Sequence, residues 1–196
     1  MYESEVREML AGERAEALVA LVEGAWAEMV SRKMPSRKRT RASVMWDNML
    51  ELADQLLVPL DGVHRFELRR IPMYAIDDRI AIRFKKHNEA GLTRSVWTDH
   101  QRALVSQQPI DGLAPGIVHL PCGYKLDRTG SEISHVVLSK PIRITKTEWE
   151  IDLRELISGE GTPYTAPLSP IVPNLGTTAL PGVRPSEEKA GEDTDS

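Results

Sequence analysis

Met73-Tyr74-Ala75-Ile76-Asp77-Asp78-Arg79-Ile80-Ala81-Ile82-Arg83-Phe84-Lys85-Lys86 carries two short apolar runs separated by three charged residues. Runs of this length around polar turn residues are the pattern of a β-hairpin. The spacing predicts strands over residues 73–76 and 80–84 with Asp77-Asp78-Arg79 between them. In the second strand the two-residue side-chain period puts Arg83 and Lys85 on one face, and the strand runs out into Lys86 and His87.

Toward the N-terminus, residues 63–70 read as a further strand, with Val63, Arg65, Glu67 and Arg69 on one face and His64, Phe66, Leu68 and Arg70 on the other. Pro59 and Asp61-Gly62 close a preceding helix over residues 43–57, for which Ser43 is the expected N-cap and Val44, Met45, Met49, Leu52, Ala53, Leu56 and Leu57 the apolar repeat. Before it, Val6, Met9, Leu10, Leu18, Leu21, Val22, Ala25, Trp26, Met29 and Val30 recur every three or four residues. This predicts one amphipathic helix over residues 3–31, with Gly12 as the place for a break into two. Its apolar stripe suits a core, or a seam for homo-oligomer formation.

Between these helices lies Arg32-Lys33-Met34-Pro35-Ser36-Arg37-Lys38-Arg39-Thr40-Arg41. Proline and charge density predict a linker over residues 32–41, with Arg37, Lys38, Arg39 and Arg41 as candidate contacts to phosphate.

Toward the C-terminus, residues 88–95 read as a loop. Thr98 followed by Gln101 has capping-box spacing, which predicts a short helix over residues 99–106. Strands over residues 117–126 and 132–138 flank a turn at Asp127-Arg128-Thr129-Gly130, and a register centred on that turn sets His135 opposite Gly123 or Tyr124. Residues 148–153 alternate Trp149, Ile151 and Leu153 with acids, as in a strand with one wet face. Residues 159–196, rich in proline and acids, are expected to be disordered. The class is therefore α+β: N-terminal amphipathic helices packed on a mostly antiparallel sheet, as a helical segment over 1–31, the linker, a domain over 42–158 and the tail.

The net charge of −4 resides entirely in that tail, where six acids face Arg184 and Lys189, so residues 1–158 balance to zero. Overall acidity therefore does not argue against an anionic partner. The acidic, helical start predicts no signal peptide, the lone Cys122 allows no internal disulfide, and no apolar run reaches membrane-spanning length, so a cytoplasmic setting is expected. Cys122, between Pro121 and Gly123, reads as a small buried residue more readily than as a nucleophile.

His64, His87, His100, His119 and His135 include no pair at metal-ligand spacing, and neither G-x-x-x-x-G-K, G-x-G-x-x-G nor G-x-S-x-G occurs. No metal, nucleotide or serine-hydrolase site is expected. A divergent Mg²⁺ nuclease of the restriction-endonuclease-like type would need an acid on one strand and an acid-x-lysine on the next. Glu67 or Asp78 would supply the first acid and Lys85 the lysine, but Arg83 stands where the second acid belongs, and Asp77-Asp78 serves a turn equally well. Mg²⁺ enters only under this alternative; otherwise no cofactor is expected.

Arg83, Lys85, Lys86, Arg94 and Arg102 make a candidate binding surface for DNA, RNA or another anionic partner, to which Thr93 and Ser95 add hydroxyl donors. A charged edge strand guarded against aggregation would use the same residues.

The segments Arg41-Ala42-Ser43-Val44-Met45-Trp46-Asp47 and Ile80-Ala81-Ile82-Arg83-Phe84-Lys85-Lys86-His87-Asn88-Glu89-Ala90-Gly91-Leu92 resemble a group of small bacterial and phage proteins. Members of that group are encoded beside helix-turn-helix or ImmA/IrrE-type metallopeptidase proteins. The resemblance implies a toxin–antitoxin-like or phage-defence cassette with a protein of that kind as partner, and it brings no catalytic residues. The functional expectation is a non-enzymatic or toxin-like component of such a cassette, with a Mg²⁺ nuclease or a phage or host assembly protein as alternatives.

Overall fold

The structure, a computed structural model, describes residues 1–32, 37–93, 98–108, 112–143 and 145–158, all within the unit Met1–Thr165. Helices α1 (Glu3–Leu10), α2 (Glu13–Ser31) and α3 (Lys38–Leu56) lead into strands β1 (Val63–Leu68), β2 (Ile71–Ile76) and β3 (Ile80–Lys86). Helix α4 (Asp99–Val105) precedes β4 (Val118–Leu126), β5 (Ile133–Arg143), β6 (Lys146–Asp152) and a final short helix, α5 (Leu153–Ile157). The six strands form one sheet in sequence order, antiparallel at every step except β3–β4, which is parallel. The sheet is thus two three-stranded meanders joined at one parallel seam, and the fold is α+β with a mostly antiparallel sheet.

The expected break in the first helix falls at Gly12, whose φ of 76° is accessible to glycine at little cost. The apolar stripe is buried: Val6 and Leu10 of α1 and Ala15, Leu18, Val19, Leu21, Val22 and Ala25 of α2 enter one core with Met45, Met49 and Ala53 of α3. The same core takes Tyr74, Ile76, Ile80, Ile82, Phe84, Leu120, Cys122, Tyr124, Val136, Leu138 and Ile151 from one face of the sheet. Residues 1–31 and the sheet therefore share a single core. Full burial of Leu, Ile or Phe contributes about 1.5–3 kcal/mol each, so this layer contact is the main source of stability. A second, smaller cluster on the opposite face joins Leu68, Met73 and Ala81 to Leu104 of α4.

Helix α3 starts five residues before the expected Ser43. Its N-cap is Arg37, and Lys38, Arg39 and Arg41 belong to its opening turns, not to a linker, because Lys and Arg are good helix formers once Pro35 is passed. Ser43 lies inside the helix, where its hydroxyl donates to the Arg39 carbonyl at 3.3 Å. The predicted linker residues 33–36 lie outside the described residues, as does the predicted tail over 159–196.

A strand end and a strand register also differ from expectation. The strand read over residues 63–70 stops at Leu68, and Arg69 and Arg70 form a two-residue turn with φ of 52° and 64°. A register shift between Lys125 and Leu126 sets His135 opposite Lys125, not opposite Gly123 or Tyr124. Helix α4 is capped as expected: the Thr98 hydroxyl accepts the Gln101 N–H at 3.2 Å. At the Asp127 turn, the Thr129 hydroxyl and the N–H groups of Glu132, Ser131 and Thr129 bond the carboxylate and hold Asp127 far below the usual carboxylate range.

Candidate anion site on the α4 face of the sheet

The acidic turn has the carboxylates of half a metal site, at Asp77 and Asp78. Asp77 and Asp78 both have left-handed φ, 51° and 52°, and form the β2–β3 turn. The Arg14 guanidinium grips both oxygens of Asp77, Nη1 to Oδ2 at 2.7 Å and Nη2 to Oδ1 at 2.8 Å. That fork also donates to the Met9 and Asp61 carbonyls, and its hydrogen bond holds the Asp77 carboxyl below its ordinary range. Asp77 therefore ties the start of α2 to the turn. Asp78 is exposed, with His64 Nε2 at 3.6 Å.

The nuclease trio is not brought together. Asp78 and Lys85 stand at opposite ends of β3, seven residues or about 23 Å apart at the usual strand rise. Glu67 pairs with Pro72 and Arg65 with Tyr74, which places Glu67 on the helix-covered face. Lys85 shares the parity of Ala81 and Arg83 and lies on the other face. Among the described residues no group of three or more His, Cys, Asp or Glu side chains is arranged to hold a metal ion.

Arg83 and Lys85 lie together on the face away from α1, α2 and α3. Across the parallel seam Arg83 pairs with Pro121 and Lys85 with Gly123. Arg83 is half-buried; its Nη1 donates to Gln101 Oε1 of α4 at 2.9 Å, and its Nε has no hydrogen-bond partner among the described residues. Burial lowers its pKa. Lys85 is pushed down to about 8 by burial first and by the Arg83 charge second. No acid offsets either cation among the described residues. Two adjacent, partly desolvated cations without a counter-charge are costly in the free protein and favourable to any anion that reaches them.

The neighbouring groups already have partners, His87 through Nε2. Lys125 pairs with Glu150 and donates to the Glu89 carbonyl at 3.1 Å. His87, 2% exposed, shares a hydrogen bond with Ser139 at 3.2 Å and lies near the carbonyls of Lys85 and Pro121. Burial, then the charge of Lys125, pushes His87 down to about 4, so it is neutral. Cys122 is fully buried and its thiol is pushed up to about 12, which suits packing and not nucleophilic attack.

The other candidates are dispersed around the same end of the sheet. Lys86 projects from the helix-covered face at the level of Tyr124. Arg102 is exposed on α4, 3.9 Å from Asp99, and Arg94 lies outside the described residues. Arg41 stacks over Trp26 at 5.6 Å, and Trp26 packs on Tyr124 at 6.1 Å between ring centres, so the start of α3 reaches the end of the sheet that carries Lys86. Arg37 and Arg39 are exposed there.

Parity placed Arg83 and Lys85 correctly, whereas Gln101, Gly123 and the Arg69-Arg70 turn carry no local sequence signal for this site. Only the crossover between β3 and β4 brings the first two to it. No family model, no curated protein and no solved structure matches the chain.

Proposed function

We propose that the protein is a non-enzymatic binding component that engages an anionic partner through Arg83 and Lys85, within the two-gene defence or stress setting its resemblance implies. One observation carries the reading: two adjacent, half-buried cations without an acidic partner among the described residues, beside a strand position occupied by glycine. A charged strand that only guards against aggregation would keep its charges in water, where they cost nothing. Here burial opposes both, and a bound anion would remove that penalty.

The test is binding of fluorescent oligo-dT and of poly-glutamate to the wild type and to Arg83→Gln/Lys85→Met. A charge-assisted hydrogen bond contributes about 1.5–3 kcal/mol, so losing both cations is expected to weaken binding of the preferred polyanion about a hundredfold or more. Affinity should also fall as pH rises through about 8, where Lys85 loses its proton. A folded double variant that binds as the wild type does would remove the site. The same variant is expected to melt higher than the wild type in the absence of any anion, because the buried charges go with it.

A further inference from the structure

The turn between β1 and β2 is made of two arginines. Arg69 and Arg70 have φ of 52° and 64° between the paired residues Leu68 and Ile71, the geometry of a type I′ turn. Asn-Gly meets that geometry at low cost, whereas a long side chain at either position sets its Cβ against the following carbonyl. The sister turn at Asp77-Asp78 uses a residue type that tolerates the conformation, and Asp77 is held there by Arg14. Nothing comparable holds Arg69 and Arg70: both are exposed, and no side-chain hydrogen bond or ion pair engages either of them among the described residues. Neither turn chemistry nor packing accounts for arginine at these positions.

Strand direction places them beside the anion site. β2 runs away from the Arg69-Arg70 turn and β3 runs back, so the turn lies at the end of the sheet that carries Lys85 and Lys86. The parallel β4 reaches the same level at Tyr124, on which Trp26 packs, with Arg41 stacked over Trp26. Cations thus occupy one face of the sheet, a hairpin tip and the start of a helix around one rim, too dispersed for a single small anion. A polymer with a charge at every repeat meets them all, and the planar guanidinium fork suits its phosphates.

We infer that the Arg69-Arg70 turn is a second phosphate-contacting element and that the partner held at Arg83 and Lys85 is a nucleic-acid backbone, bound without reading its sequence. This rests on the proposed function and names the ligand class for the same site.

Two variants separate charge from strain. Arg69→Asn/Arg70→Gly relieves the turn and removes both charges; it should melt several degrees higher than the wild type and bind oligo-dT and mixed-sequence duplex about tenfold more weakly or worse. Arg69→Gln/Arg70→Gln keeps the strain; it should melt as the wild type does and show the same loss. In both, the slope of log affinity against log salt should fall by about one to two units. Unchanged nucleic-acid affinity in either folded variant, with Arg83→Gln/Lys85→Met still defective, overturns the inference and leaves the anion site standing. A failure of the Asn-Gly variant to melt higher overturns the strain argument on which the turn was singled out. Poly-glutamate bound as tightly as DNA, and lost equally, overturns the nucleic-acid assignment in favour of an acidic protein. A wild type that binds neither polymer overturns the site and the inference together.

Discussion

Gly123→Ala is expected to destabilise the protein by about 3 kcal/mol or more, or to prevent folding altogether. A Cβ built at Gly123 would stand 1.8 Å from the carbonyl oxygen of Lys85 and 2.9 Å from its carbonyl carbon. Both are main-chain atoms of the neighbouring strand, so no rotamer change relieves the contact and β3 and β4 must separate. The loss is a large share of the roughly 5–15 kcal/mol that a domain has in total. Gly130→Ala is the control. Gly130 has a left-handed φ, 74°, but a Cβ there meets nothing within 4 Å, so only the conformational cost of about 1 kcal/mol remains. Urea unfolding of the two variants measures the difference. If they lose equal stability, the close approach at the seam is wrong.

The second large effect is acid destabilisation through His87. Its pKa is about 4 in the folded protein against an ordinary 6.5. Between those values the unfolded chain takes up a proton that the folded chain refuses, so stability falls as pH falls from 6.5 toward 4 and this contribution levels off below. Integrated over the window, the loss is roughly 3 kcal/mol. Burial sets it first and the Lys125 ammonium second, while hydrogen bonds to the carbonyls of Lys85 and Pro121 act the other way. Unfolding curves of the wild type and His87→Gln across this range isolate the residue: the gap between them should change steeply with pH, since glutamine does not titrate. An imidazole resonance of folded His87 that titrates near 6.5 would contradict the burial on which the prediction stands.

What could be read from the sequence followed the range of the interactions that fix each element. The helix stripes, the Gly12 break and the Thr98–Gln101 cap are set by residues three or four apart, so periodicity alone reveals them. The Asp77-Asp78 turn was legible because aspartate favours the conformation it adopts there. The Arg69-Arg70 turn was not, since arginine gives no turn signal and continues the alternation of β1. The basic residues from Lys38 onward read as a linker because their charge obscured their helix propensity. The shared face of Arg83 and Lys85 followed from strand parity, but Glu67 could be assigned to the opposite face only once the β1–β2 register was known.

The parallel seam has a kinetic consequence. Each meander pairs strands joined by short turns, whereas Ile80 pairs with Val118, thirty-eight positions further along the chain. Loop-closure entropy must be met before that pairing returns any contact energy, so the meanders can condense early and the seam sets the pace of folding. Arg83, Lys85 and Gly123 lie on that seam. The capacity to hold an anion is therefore acquired with the slow step, and a chain halted before it would present β3 as an unpaired edge instead of a binding face.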